Sequence, residues 1–427
     1  MKIALVIGAG RGWLWLRHLA EALSSYGSVD VLTGPGPRAD LARAWVRLEQ
    51  KLFRLHSGAK PVSAQALGAA SLTAHDMASF DLVIDLSGTL SAANLTLKYD
   101  GRAGDAYALG RLLKRETPVL TVETASGEVV VASYPAIEDR EVLARALTFV
   151  FARSAALVQR AVAQVVQGRR GATLDPFPQR EPKQFSLASL IAFAVGGFAR
   201  KIAGRLAGKR RLRPRWLTAL RRVRTGEGGL PAPGGFTPLA LPGGGESADP
   251  FLLGYGGTTW LFVEKMKPDG RGVLAYSPID ADGVAGSFSE ILDEGDHMSY
   301  PFVFEHDGAV WMLPETGVRK SLCLLRAVSF PDKWRVEATL LAGAVFADAT
   351  LFRHGGLWWV FAAMAEGENS THDELYGFWS ETLTGPWSAH VANPLKSDAR
   401  SARPAGKVIE ANGRLLRPAQ NCERHYG

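Results

Sequence analysis

The stretch His297-Met-Ser-Tyr-Pro-Phe-Val-Phe-Glu-His-Asp-Gly-Ala-Val-Trp-Met-Leu-Pro-Glu-Thr316 decides the fold of the C-terminal half of the chain. β-Branched and aromatic residues flank its Asp-Gly pair, which is a strong signal for a β-hairpin. The pattern predicts a strand over residues 302–305, a tight turn over 306–308 and a return strand over 309–313. A single hairpin says little about a fold, so its recurrence matters.

The same pattern returns three more times along the chain. Ala248-Asp-Pro-Phe-Leu-Leu-Gly-Tyr-Gly-Gly-Thr-Thr-Trp-Leu-Phe-Val-Glu264 precedes it, Ala347-Asp-Ala-Thr-Leu-Phe-Arg-His-Gly-Gly-Leu-Trp-Trp-Val-Phe361 follows it, and a weaker copy spans residues 402–418. Aligning Pro250, Pro301, Ala349 and Pro404 gives steps of 51, 48 and 55 residues. A repeat of about fifty residues with an aromatic, glycine-turned hairpin is typical of β-propeller blades. The sequence therefore predicts an all-β propeller over residues 225–427.

Polar residues stand at the same place in all four repeats. The residue before each aligned position enters the innermost strand of its blade, and these residues are Asp249, Tyr300, Asp348 and Arg403. Because innermost strands line the central channel, we expect these groups to converge at its mouth, as a small polar ligand requires. The alternative is that such residues only begin strands and form turns.

The acidic residues of the repeats suit glycoside chemistry. Glycosidases commonly use two carboxyl groups, one that protonates the leaving oxygen and one that activates water or attacks the sugar. Asp249, Glu315 and Asp348 are the candidate catalytic residues, and Glu264, which ends a repeat-equivalent strand, is a candidate substrate contact.

Aromatic and basic residues of the same hairpins complete the predicted site. Tyr300 and Trp358 are predicted to stack on sugar rings, and His297 and Arg403 to face the channel. For His297, a purely structural role is the alternative. No group of residues has the spacing of metal ligands, so neither a metal nor a cofactor is predicted.

Charge is distributed unevenly along the 427 residues. Residues 1–195 hold 22 Lys+Arg and 17 Asp+Glu, residues 196–224 hold 11 and none, and residues 225–427 hold 16 and 25. An acidic propeller argues against nucleic acid as a partner and favours neutral or cationic groups such as sugars. Two cysteines, Cys323 and Cys422, make no disulfide framework, which fits a cytoplasmic location.

The first 166 residues alternate strands with helices. Strands are predicted over residues 3–7, 29–32, 82–86 and 119–123, and helices over 13–23, 39–55, 104–115 and 142–166. This alternation predicts a Rossmann-like α/β domain with a mostly parallel sheet. Gly8-Ala-Gly-Arg-Gly12 follows the first strand, but its spacing differs from the G-x-G-x-x-G of dinucleotide-binding turns.

A linker over residues 167–224 joins the two predicted domains. Its residues 184–199 carry no charge, which is short for a bilayer span, and residues 200–224 hold eleven basic residues. An apolar stub beside a basic stretch could lie on an anionic membrane surface, so we expect residues 184–224 to make peripheral contact there. The alternative is a helix that packs between domains and has a solvated basic end.

Several strings in the C-terminal half resemble a known family. His297-Met-Ser-Tyr-Pro-Phe-Val-Phe-Glu-His-Asp-Gly, Phe346-Ala-Asp-Ala-Thr-Leu-Phe and Arg417-Pro-Ala-Gln-Asn-Cys resemble the N-terminal domain of glucosamine inositolphosphorylceramide transferases. The propeller also resembles the five-bladed fold of family 43 glycoside hydrolases. Four repeats are visible, so either residues 215–223 supply an extra strand or the propeller is incomplete. Bacterial proteins with this domain often carry a formyltransferase-like α/β domain in front, which implies the same for residues 1–166.

The resemblance implies a carbohydrate-related function. Family 43 hydrolases use an Asp base in the first blade, an Asp that tunes acidity and a Glu acid, which implies these roles for Asp249, Asp348 and Glu315. The leading hypothesis is a protein that binds, and hydrolyses or transfers, a sugar residue at the propeller mouth. The alternative is a non-catalytic glycan-binding or scaffold propeller that assists a partner glycosyltransferase in glycolipid or surface polysaccharide synthesis.

Overall fold

The computed structural model describes residues 1–8, 11–34, 40–72, 77–90, 93–168, 177, 180–206, 216–222, 234–239, 246–293, 295–365 and 367–424. The N-terminal strands are β1 (Lys2–Ile7), β2 (Arg11–Trp13), β3 (Ser28–Thr33), β4 (Pro61–Ser63), β5 (Ala70–Ser71), β6 (Leu82–Asp85), β7 (Leu95–Tyr99), β8 (Arg102–Ala103), β9 (Leu120–Thr124) and β10 (Val129–Ser133). The helices are α1 (Trp15–Leu23), α2 (Asp40–Phe53), α3 (Asp105–Leu112), α4 (Leu143–Gln167) and α5 (Leu187–Leu206). Every strand and helix predicted for residues 1–166 is present.

The N-terminal sheet is mixed and follows the order β10-β9-β7-β6-β1-β3-β5, with β8 on β7. Neighbouring strands from β5 to β7 are parallel, whereas β9 is antiparallel to both β7 and β10. The expectation of a mostly parallel sheet therefore applies to one side only. A tight turn with Gly127 at a φ of 83° joins β9 to β10, and strands joined in this way pair antiparallel.

Helix α4 is the central packing element of the N-terminal part. Its residues Leu147, Val150 and Phe151 are fully buried among the side chains of the sheet and of α1. The helix is long and apolar enough to cross a membrane, but 56% of its most apolar window is buried inside the fold. Its apolar side is thus used by the protein core.

The C-terminal strands are β11 (Ala219–Leu220), β12 (Thr237–Pro238), β13 (Ser247–Tyr255), β14 (Thr258–Met266), β15 (Gly272–Ile279), β16 (Ser289–Ile291), β17 (Ser299–His306), β18 (Ala309–Glu315), β19 (Ser321–Ser329), β20 (Lys333–Ala342), β21 (Val345–His354), β22 (Leu357–Ala365), β23 (Glu374–Ser380), β24 (Ser388–Ala389), β25 (Lys396–Ser397), β26 (Ile409–Ala411) and β27 (Arg414–Leu416). They form three consecutive antiparallel meanders, which we call blade 1 (β13–β16), blade 2 (β17–β20) and blade 3 (β21–β25). The order of strands is that of propeller blades. The hairpin of the fourth repeat is present as β26 and β27, while the prediction of five blades remains untested.

The predicted hairpins repeat the same local structure. In each one, an indole N–H donates to the carbonyl oxygen five residues earlier, across the turn: Trp260 to Tyr255, Trp311 to His306 and Trp359 to His354. The first strand of each blade also has a β-bulge, which contains Asp249, Tyr300 or Asp348 at a φ of 49°, 48° or 52°. Non-glycine residues at such angles are strained. Because the strain recurs at the aligned positions, the sequence repeat is a structural repeat.

The two halves of the chain share a buried ionic interface. Arg153 of α4 is fully buried, and its Nη2 lies 2.6 Å from Oδ1 of Asp373, which precedes β23. Arg153 and Arg160 both pair with Glu374. Burial opposes ionisation of Glu374, but the charges of the two arginines outweigh it and lower the pKa of Glu374 to about 2. The helix is therefore fixed to blade 3 by charge as well as by packing.

Backbone pairing extends the same interface. The Tyr134 N–H donates to the Ser397 carbonyl at 3.0 Å, and the Ala399 N–H donates to the Tyr134 carbonyl at 2.9 Å. The edge of the N-terminal sheet thereby continues into the chain that follows β25. The α/β part covers an edge of blade 3 that would otherwise be open to pairing with other chains.

Part of the predicted linker and much of its basic stretch lie outside the described residues, which omit 169–176, 178–179, 207–215 and 223–224 of this segment. The apolar stub is helix α5, which packs Leu190 and Phe193 onto the N-terminal core. The guanidinium of Arg115 lies 4.3 Å from the ring centre of Phe193 and fixes this docking. The packing of α5 therefore agrees with the alternative to membrane contact, a helix that packs against a domain. The outward-facing side of α5 is nevertheless apolar as well.

We predict that Arg153→Met destabilises the protein by about 3 kcal/mol, because it leaves two carboxylates buried without their shared cation. The midpoint of urea unfolding measures the effect. Arg145→Met is the matched control, since Arg145 lies on the same helix but its ion pair with Asp139 is exposed; we expect a change of less than about 1 kcal/mol there. Equal effects of the two substitutions would show that the buried pair does not hold the interface.

Candidate functional site

Carboxylates from one blade hold the strained residues of the next. The Tyr300 N–H in blade 2 donates to Oδ2 of Asp249 in blade 1 at 3.1 Å. The Asp348 N–H in blade 3 donates to Oε2 of Glu315 in blade 2 at 3.0 Å. The positions aligned from the sequence therefore meet at one end of the three blades, together with acidic groups from neighbouring strands.

Burial gives three of these carboxyl groups a raised pKa. The pKa of Asp249 is raised to about 6 by burial and then by the charge of Asp348. Glu315 is raised to a pKa of about 8 by the same two causes. Burial, followed by the charges of Asp249, Glu315 and Asp348, raises the pKa of Glu264 to about 8. At neutral pH the cluster thus holds two neutral carboxyl groups beside an ionised Asp249.

Arg403 forms an ion pair with the fourth carboxylate of the cluster, Asp348. Its Nε donates to Oδ2 of Asp348, and its Nη2 lies 3.6 Å from Oε2 of Glu315. The side-chain amide of Gln420 donates to the same Asp348 oxygen at 2.6 Å. Oδ1 of Asp348 is buried and accepts no hydrogen bond from these groups. A proton on Glu315, or a hydroxyl group of a ligand, can serve this acceptor.

His372 connects the cluster to the domain interface. Its Nδ1 lies 2.8 Å from Nη1 of Arg403, so it accepts from the guanidinium and leaves the proton on Nε2. Burial and the nearby charge of Arg403 lower the pKa of His372 to about 4, so the ring is neutral. His372 is followed directly by Asp373 and Glu374, the partners of Arg153. One short segment therefore joins the cluster to helix α4.

His297 lies at the rim of the cluster. Its Nδ1 accepts the N–H of Gly272 at 3.0 Å, which places the proton on Nε2, 3.3 Å from Oε1 of Glu264. Burial, then the charge of Arg271, lowers the pKa of His297. The ring is half exposed and neutral, so it can donate to Glu264 and still meet a ligand.

The side chains of two predicted sugar contacts, Tyr300 and Trp358, do not face the carboxylate cluster. The Tyr300 ring is 2% exposed and packs edge-on against Phe251 in the core, and its hydroxyl bonds to Thr350 and accepts the Gly406 N–H at 2.8 Å. Tyr300 thus offers a sugar no open face. Trp358 pairs with Arg353 beside the hairpin turn, at the opposite end of blade 3 from Asp348. Five residues of strand, about 16 Å, separate the two ends.

Arg403 also differs from the expected ligand contact, because it is 4% exposed and its guanidinium is bound by protein groups. It orients Asp348 instead of facing the channel. Sequence reasoning missed His372 and Gln420, although Gln420 lies in the quoted string Arg417-Pro-Ala-Gln-Asn-Cys. Within the described ranges, no group of three or more His, Cys, Asp or Glu residues is arranged to hold a metal.

Comparison with known proteins places the C-terminal half. Residues 244–427 match the family described as "Glucosamine inositolphosphorylceramide transferase 1, N-terminal". A protein named glucosamine inositolphosphorylceramide transferase 1 from Oryza sativa subsp. japonica is 37% identical over 185 residues, which are 42% of this chain and 25% of that protein. Its namesake from Arabidopsis thaliana is 34% identical over 197 residues, 45% of this chain and 26% of that protein. The chain thus spans about a quarter of the length of these relatives.

A solved structure of a thermostable family-43 glycoside hydrolase is also similar. It is 14% identical, covers 39% of this chain and 62% of its own, and superposes with a TM-score of 0.31. A TM-score at this level establishes no shared fold, so the fold rests on the strand pairing given above.

The resemblance predicted from the quoted strings is confirmed over the C-terminal half. The formyltransferase-like assignment of residues 1–166 lies outside the matched range and stays a prediction. Residues 244–427 are thus identified as a domain similar to the N-terminal domain of glucosamine inositolphosphorylceramide transferase 1.

Proposed function

We propose that the chain is a carbohydrate-active protein that binds a sugar residue at the carboxylate cluster of Asp249, Glu264, Glu315 and Asp348 and turns it over by acid–base chemistry. The observation that carries this proposal is the split between the raised pKa values of about 6 for Asp249 and about 8 for Glu315. If one carboxyl group is to act as an acid and another as a base at the same pH, their surroundings must give them different pKa values.

Each residue of the cluster has a role in this proposal. At neutral pH, Glu315 keeps its proton and can donate it to a leaving oxygen, while Asp249 is ionised and can accept a proton from water or a hydroxyl group. Asp348, held by Arg403, supplies the negative charge that keeps the Glu315 proton in place. Glu264 and His297 then contact the sugar at the rim. The five-bladed propeller of family 43 hydrolases remains part of the proposal.

We predict that Asp249→Asn lowers turnover by about 10²- to 10⁴-fold, the usual contribution of a general base. The chain is incubated with a panel of glycans and glycolipids, and product and bound ligand are measured by mass spectrometry. Asp282→Asn is the control, since Asp282 lies in a loop of blade 1 with its side chain 91% exposed. Product formation that survives in Asp249→Asn would reject the base assignment.

The second candidate function is a non-catalytic glycan-binding or scaffold domain that serves a partner glycosyltransferase. The observation that favours it is the part of the relatives that is matched, because residues 244–427 match a domain described as the N-terminal one of proteins named transferases. Binding without product in the same panel supports this alternative. Loss of binding in Glu264→Gln would then show that the cluster contacts the glycan.

The raised pKa of Glu315 predicts a pH dependence of stability. The unfolded chain loses this proton near the ordinary Glu value of 4.5, whereas the folded chain keeps it to a pH of about 8. The folded state binds more protons in this window, so stability falls as the pH rises through it. We expect the melting temperature to drop less between pH 5 and pH 8 in Glu315→Gln than in the native chain. Glu305→Gln, an exposed change in the same hairpin, should behave like the native chain; identical pH profiles for all three would contradict the prediction.

We also propose that the outer face of α5 contacts an anionic membrane. Leu187, Ile191 and Val195 are 52%, 54% and 62% exposed and lie four residues apart, on one side of the helix. The eleven basic and no acidic residues of 196–224 provide matching charge for anionic lipids. This contact would hold a cytoplasmic protein at the membrane surface, close to a glycolipid substrate.

Sedimentation with lipid vesicles tests the membrane proposal. We expect binding to vesicles with anionic phosphatidylserine, weaker binding to pure phosphatidylcholine, and a loss of at least about tenfold when Leu187, Ile191 and Val195 are all changed to Ser. Val165→Ser is the control, because Val165 is an equally apolar, 47% exposed residue on α4. Equal binding by the triple variant would show that α5 does not touch lipid.

A further inference from the structure

A second cleft opens at the end of the blades that lies away from the carboxylate cluster. It has a volume of about 500 Å³ and lies between blades 2 and 3, at their hairpin turns. Its lining residues are His306, Asp307, Ala309, Trp311, Arg326, Arg353, Trp358, Glu381, Thr382, Leu383 and Thr384. A cleft of this size lies within the usual range for small-molecule sites.

Two arginines in the cleft lie over tryptophan rings. The guanidinium carbon of Arg326 is 5.4 Å from the ring centre of Trp311, and that of Arg353 is 5.8 Å from the ring centre of Trp358. Each pair is also a cross-strand pair, one in blade 2 and one in blade 3. A planar guanidinium held over a ring keeps its N–H groups free at the edges, and the stacking limits its motion.

These two arginines make no ion pair among the described residues. Other arginines of the same blades do, such as Arg335 with Glu337 and Arg319 with Asp296. In the cleft, Asp307 lies 3.2 Å from His306 instead, with its carboxylate turned mainly to solvent. Two positioned guanidinium groups that make no ion pair are an arrangement that suits a bidentate oxyanion, and they share the cleft with the carboxylates of Asp307 and Glu381.

The remaining side chains of the cleft could bind a ligand ring that carries hydroxyl groups. The rings of His306 and Trp358 meet nearly at a right angle, with 4.8 Å between ring centres, and both residues line the cleft. Thr384 and Glu381, in the loop after β23, add a hydroxyl and a carboxylate group to the lining. Hydroxyl groups of a ligand could pair with these side chains while its anionic group meets the arginines.

We propose that this cleft binds a saccharide that carries an oxyanion, either a carboxylate or a phosphate, through Arg326 and Arg353. The inference goes beyond the proposed function, because none of the cleft residues belongs to the carboxylate cluster. It also assigns Trp358 a different role from the one predicted for it. In this proposal the Trp358 ring positions the Arg353 guanidinium, and it does not stack on the sugar itself.

Calorimetric titration of the full chain tests the proposal with four probes: glucuronic acid, glucose 6-phosphate, inorganic phosphate and glucose. We expect binding of at least one of the two anionic sugars and at least tenfold weaker binding of inorganic phosphate. Any heat from glucose, which the proposed function would place at the carboxylate cluster, should be unchanged in Arg326→Gln. Comparing the two anionic sugars distinguishes a carboxylate site from a phosphate site. Inorganic phosphate that binds as tightly as the anionic sugars would overturn the proposal, as would the absence of binding by both anionic sugars. Glucose binding that Arg326→Gln weakens as much as it weakens anionic-sugar binding would overturn it too.

Substitutions place the binding in the cleft. Arg326→Gln and Arg353→Gln should each weaken binding at least tenfold, whereas Arg335→Gln, which removes the same charge from blade 2 outside the cleft, should leave it unchanged. Arg353→Lys keeps the charge and should still weaken binding, because it loses the bidentate fork. Circular dichroism confirms that the variants are folded. An equal loss in Arg335→Gln would show that net charge, and not this cleft, attracts the ligand.

Discussion

The central constraint in this structure is the burial of four carboxyl groups around one guanidinium. Taking ionised carboxylates out of water is costly unless each one finds a charge or hydrogen-bond donors. Arg403 and Gln420 donate hydrogen bonds to Asp348, and backbone N–H groups of the next blade donate to Asp249 and Glu315. The cluster meets the rest of the cost by keeping protons, which is why Glu264 and Glu315 have pKa values of about 8. The chemistry proposed for the site and the way the blades are joined therefore have one physical origin.

The N-terminal part of the chain takes part in this arrangement. Ser370 donates to Glu138 at 2.7 Å and Arg153 holds Asp373, so the α/β part fixes both ends of the segment that carries His372. His372 in turn bonds to Arg403. Neither half of the chain therefore has a complete set of contacts alone, although each has its own hydrophobic core. The contacts that hold the segment with His372 in place therefore come from both halves of the chain.

Repeat spacing predicted that the aligned positions lie at one end of the blades but not which way their side chains point. Asp249, Tyr300 and Asp348 could be located because the same strained bulge recurs at each position. A one-residue change of register in a strand reverses the side that a residue faces, and a bulge is such a change, so spacing could not show that the Tyr300 ring enters the core. Likewise, Trp358 and Asp348 share a hairpin, yet strand length separates them. His372 lies in a loop outside the repeats, and Arg153 meets a partner 220 residues away, so no local pattern indicated either residue.

The two ends of the blades present different charged groups, and the two proposed ligands follow from this difference. Although four carboxyl groups meet at one end, protons on Glu264 and Glu315 and the pairing of Asp348 with Arg403 leave about one net negative charge there at neutral pH. Such a site can accept a hydroxyl-rich, neutral sugar, while its remaining charge disfavours an oxyanion. The opposite end holds Arg326 and Arg353 without ion-pair partners among the described residues, but Asp307 and Glu381 line the same cleft. The proposed oxyanion would therefore be held by the two guanidinium groups themselves and not by net charge. A strand about 16 Å long between the two ends exceeds the screening length of about 8 Å at physiological salt, so each end keeps its own preference.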